Sequence, residues 1–319
     1  GPMAGQSLTS GSSNIYIGEC AGKCSTTLQG QIAIGREAAC CACGSNTVII
    51  GSYAAKCFQC AEDSVIIGRQ AGRGSSTVAD NTGKENVLIG YAAGQEMSSS
   101  DSNVIIGSYT GCNITTSDGH VMLGHLAGYT NTTGAGNINV GHSAGKCFVT
   151  GNYNVNMGYG AGFHQCSGGY NIAIGMGAFC GSSTNSDNTG SSNIAVGECP
   201  LKVITSGANN VAVGKETGFA LTSGSYNVLI GKSAGCSVTT GNNIAIGYCA
   251  GASQVNTTES VYIGYFAGSA ATGGSNVVIG GAAGGGAFSS DNVIIGQDAG
   301  KSTTGGSNVI VGKDAGKTA

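Results

Sequence analysis

The residue type with the most chemistry to offer here is cysteine. Seven of the fourteen lie before residue 61: Cys20, Cys24, Cys40, Cys41, Cys43, Cys57 and Cys60. Thiols at this density can remain reduced as small core residues, close disulfides, or bind a soft metal. Cys57-Phe-Gln-Cys60 is a C-x-x-C, but it lacks a clean second pair at zinc spacing. Reduced thiols are therefore the first reading, disulfides the second and metal the third. His125 and His142 are 17 residues apart. Asp80-Asn81 and Asp187-Asn188 sit in two related segments, Gly74 to Asn86 and Gly181 to Asn193. They could contribute to a cation or glycan site, against the plainer reading of a solvated turn. With four His and 9% charged residues, no Ser/His/Asp or paired-carboxylate constellation is visible. No catalytic residue, cofactor or metal ligand is assigned, and an enzyme is not expected.

These residues recur in register because the chain is a repeat. The pattern of Asn103 to Gly111, N-V-I-I-G-S-Y-T-G, returns in eighteen copies at a spacing of 16 or 17 residues, except for two spacings of 22. A short period running through a whole chain signals a solenoid. The expected fold is all-β: a parallel β-solenoid or β-roll of about 18 coils. One domain covers 14–319, with inserted loops at 74–85 and 181–192 and a lead-in at 1–13. Gly1-Pro2-Met3 reads as a protease-cleavage scar, and the uncapped last repeat implies a following domain.

Counting from the glycine that closes each apolar triplet, position −3 is always Val or Ile, and −1 is Ile, Val, Leu or Met. Side chains two apart share one face of a strand. That face is expected to line the coil interior. The glycine itself is expected at a corner with positive φ, or where a Cβ would strike the next coil. Position −4 is Asn in thirteen copies, which suggests a ladder of stacked amides.

On this reading position −2 points outward, yet it is apolar in all copies but Asn139 and Asn156. An exposed apolar stripe of this length calls for a cover. The expected cover is another copy of the chain, with Ile49, Ile66, Leu88, Ile105, Met122, Leu229, Tyr262, Val278, Ile294 and Ile310 as the interface.

The units N-x-[IV]-x-[IV]-G-x-x-A-G, joined by turns such as N-T-T-G and seen whole in Gly128 to Gly145, resemble the repeats of phage tail-fibre proteins. They are also similar to the head repeats of trimeric autotransporter adhesins. The resemblance spans Asn14 to Gly316 and implies a left-handed coil and a homotrimer. The adhesin repeat is shorter and poor in cysteine.

The function expected from this is a structural shaft or receptor-binding segment of a phage or viral tail fibre. It would contact host surface glycan or a protein receptor, and would be assembled in the host cytoplasm and carried on the virion. A trimeric cell-surface adhesin head is the alternative, which so many free thiols fit poorly. A net charge of −3 without a basic cluster argues against nucleic acid, and no apolar run approaches the roughly 20 residues of a membrane span.

Overall fold

A computed structural model describes residues 1–42, 44–74, 81–182, 188–255 and 257–317. Two compact units divide the chain, Gly1–Tyr159 and Gly160–Ala319. Among the described residues each unit holds nine three-residue strands and no helix. In the first unit they run from β1 (Ile15–Ile17) to β9 (Val155–Met157), and in the second from β10 (Ile172–Ile174) to β18 (Val309–Val311). Within each unit every strand pairs in parallel and in register with the next, so each unit is a β-solenoid.

The 22-residue spacings leave this register untouched. Val65 of β4 (Val65–Ile67) stands opposite Val87 of β5 (Val87–Ile89), and Ile172 stands opposite Ile194 of β11 (Ile194–Val196).

The corner glycine has both properties expected of it. Gly35 has φ +134°, a region closed to L side chains, and a Cβ there would lie 2.6 Å from the carbonyl oxygen of Gly51 in the next coil.

The asparagine ladder is also formed. The Oδ1 of Asn193 accepts the backbone N–H of Asn210 at 3.0 Å, and Asn210 does the same for Asn227. Each Nδ2 reaches a turn carbonyl, as Asn210 does to Gly224 at 2.9 Å. These bonds satisfy buried main-chain groups where the coil turns. His120 substitutes without a break: its backbone N–H donates to Asn103, and its Nδ1 accepts from the N–H of Asn137 at 3.1 Å.

The strand faces are the reverse of the sequence expectation. Ile49, Ile66, Leu88, Ile105, Met122, Leu229, Tyr262, Val278 and Ile294 are buried within their own coils, and Ile310 is half-buried. They line the interior and are not presented to another chain. A strand of three residues puts its middle side chain on one face and its outer two on the other. The interior receives the middle one because the rest of the coil is shaped around it. The Ala three residues past the corner is buried in most coils, and the glycine after it makes room for the −2 side chain. A Cβ on Gly300 would lie 2.9 Å from Cδ1 of Ile294.

A third interior position lies seven residues past the corner and adjusts volume coil by coil. Ala195 and Ala212 share their coils with Ile204 and Leu221, whereas Tyr262 shares its coil with Ala271.

Candidate functional site

The reversal places the two Val/Ile columns on the outside. Positions −3 and −1 are half-buried or exposed in every strand. Ile17, Ile106 and Met157 in the first unit and Ile174, Ile230, Ile279 and Ile295 in the second are among the most open. The side chains at these positions are all Val, Ile, Leu or Met, with no polar interruption. Each unit therefore carries a flat apolar strip two residues wide along nine strands, which a single chain leaves uncovered. Strips of that extent on a protein surface mark an interaction face.

Aromatic side chains stand one residue past the corner, beside this strip. Nδ1 of His125 lies 3.3 Å from Nε2 of His142, and the His142 ring stacks on Tyr159 with centroids 5.1 Å apart and an interplanar angle of 12°. In the second unit Tyr248 and Tyr265 stack at 5.5 Å and 16°. The 17-residue spacing of His125 and His142 puts them in successive coils, and Tyr159 follows at the same spacing. The stacking covers ring faces and leaves the edges of these columns on the surface.

Of the four residues singled out in the inserted segments, the structure describes two. Asp80 and Asp187 lie outside the described residues. Asn81 and Asn188 are buried, and their amides are spent on the fold. Nδ2 of Asn81 donates to the Cys57 carbonyl at 2.8 Å, and Nδ2 of Asn188 donates to those of His164 at 2.7 Å and Ser182 at 2.8 Å. Each asparagine closes the base of its loop by satisfying main-chain oxygens in the adjoining turns. Neither is available to a ligand.

Among the thirteen described cysteines none is in a disulfide. Among the described residues the sulfurs of Cys24, Cys40 and Cys41 come together, within 4.8 Å of one another. A shallow groove of about 360 Å³ in the second unit is lined by Glu216, Phe219, Ala220, Ser233, Cys236 and Ser237. It offers one carboxylate and no base beside its thiol. Among the described residues no helix is long and apolar enough to cross a membrane.

No protein-family model, curated protein or solved structure matches the chain.

Proposed function

We propose that the chain is a structural, receptor-contacting shaft segment of a phage or viral tail fibre, assembled as a parallel homotrimer. The observation that carries this reading is the uninterrupted outward Val/Ile strip of each unit. Covering apolar area is worth about 25 cal/mol per Å². A second and third copy of the same strip match it in length, spacing and chemistry, because the chains are identical. The strip also replaces the buried −2 column as the interface. The exposed aromatic columns beside it offer ring edges and hydroxyls for contact with host glycan. Assembly in a reducing cytoplasm fits thirteen described cysteines outside disulfides better than the route of a secreted adhesin head.

The test is the mass of the particle in solution by light scattering. The unmutated protein is expected to be three times the chain mass. Replacing Ile106 and Ile295 with Asp puts charges on the strip and should yield smaller, folded species. A monodisperse monomer of the unmutated protein at micromolar concentration would refute the reading.

A further inference from the structure

The cluster of Cys24, Cys40 and Cys41 is not used by the shaft reading. Cys24 and Cys41 occupy the same place in successive coils, six residues past Gly18 and Gly35, and Cys40 directly precedes Cys41. The main chain holds them together: the N–H of Cys24 donates to the carbonyl of Cys40 at 2.9 Å, and that of Cys41 to Lys56 at 3.0 Å. The three sulfurs lie within 4.8 Å of one another. Zinc–sulfur bonds of about 2.3 Å at tetrahedral angles require sulfurs about 3.8 Å apart. Small rotations about the Cys side-chain bonds span the difference. Cys24 is exposed and the other two are half-buried, so the cluster opens to solvent on one side while its floor is fixed.

We propose that Cys24, Cys40 and Cys41 form a three-thiolate site for a soft, thiophilic metal cation, with a fourth coordination position open to water. The ligand class decides the metal class. An all-sulfur set of three favours Zn(II), Cd(II) or Cu(I) over the hard cations that oxygen ligands select. Three thiolates around a divalent ion leave one excess negative charge. The nearest charges are the Lys56 ammonium and the Glu37 carboxylate, paired with each other at 2.7 Å, so that excess stays on the site.

Burial, followed by the proximity of Cys40 and Cys24, pushes the Cys41 thiol up to about 12, and burial raises Cys40 as well. An ordinary cysteine thiol is mostly protonated near neutral pH. Binding exchanges each S–H bond for a sulfur–metal bond and passes the proton to buffer.

The test is titration of the fully reduced, chelator-treated protein with Cd(II), read by sulfur-to-cadmium charge-transfer absorption and proton release. One tight equivalent per chain and at least two protons per ion are expected. Cys24→Ser, Cys40→Ser and Cys41→Ser should each weaken binding at least tenfold, while Cys147→Ser should not. The ¹¹³Cd resonance of the unmutated protein gives a readout independent of any variant, and is expected in the three-sulfur range. A tight equivalent that survives Cys24→Ser would overturn the site. So would a two-sulfur resonance, or a Cys24–Cys41 disulfide as the resting form of protein purified without reductant.

Discussion

The phenol of Tyr262 donates to Oε1 of Gln254 at 3.0 Å, joining two successive coils inside the core. Nε2 of Gln254 donates to the carbonyls of Gly268 at 3.1 Å and Ala271 at 2.9 Å. A glutamine seven residues past one corner thus admits a tyrosine at the strand centre of the next. Tyr262→Phe would leave a buried acceptor unpaired at a cost of about 1–3 kcal/mol. Denaturant unfolding should show that loss, and Gln254→Leu added to Tyr262→Phe should recover part of it. Equal stability of the single variant and the parent would mean that the bond contributes nothing.

Acid should weaken the first unit through one residue. Burial, the larger effect, holds the His120 imidazole down at about 4, from an ordinary value near 6.5. Its Nδ1 accepts from Asn137, and its protonated Nε2 faces Ser117 Oγ at 3.0 Å, so the folded state keeps the ring neutral. Because the folded value lies below the unfolded one, the contribution is complete above pH 6.5 and fades as pH falls towards 4. In that window the unfolded chain takes up a proton that the folded chain refuses, for a total of about 3 kcal/mol. His120→Asn restores the ladder's usual amide. Its melting temperature should fall less between pH 7 and pH 4.5 than that of the parent.

The two faces of one strand should respond differently to the same change. Ile105→Ala removes buried volume and should cost about 2–5 kcal/mol. Ile106→Ala, on the outer face, should leave chain folding nearly unchanged and act on association. Comparing unfolding midpoints with particle mass separates the two effects. Matching losses of stability in both variants would contradict the assignment of faces.

Gly35→Ala should be among the most damaging small changes in the first unit. It forces a Cβ to within 2.6 Å of the Gly51 carbonyl oxygen at a φ of +134°. Strained backbone of this kind costs on the order of 1–3 kcal/mol, and displacing the next coil adds to it. Circular dichroism melts would register the change.

The period, the corner glycine and the amide ladder were all legible in the sequence, because the glycine is invariant and the ladder position is always a hydrogen-bonding residue, Asn in thirteen copies. The direction of the strand was not. Both faces of Val104-Ile105-Ile106 are apolar, so alternation carries no polar label to say which side is wet. A usable signal was the spread of sizes. Position −2 runs from Ala195 to Tyr262 and trades volume with its coil, whereas the outer columns hardly vary, as a flat contact surface requires. Asn81 and Asn188 read as loop residues because nothing local in the sequence reveals that the insertions would leave the carbonyls of Cys57 and His164 in need of donors.

Strand and ladder contacts between neighbouring coils recur at equivalent positions, as Val104 pairs with Val121 and Asn193 with Asn210. Removing one whole period within a unit therefore brings together partners that already fit. Lengthening a turn, as the 22-residue spacings do, leaves those partners where they were. Heredity can edit such a molecule in integral steps: recombination between copies changes reach without inventing a new interior, and decoration of the turns proceeds independently.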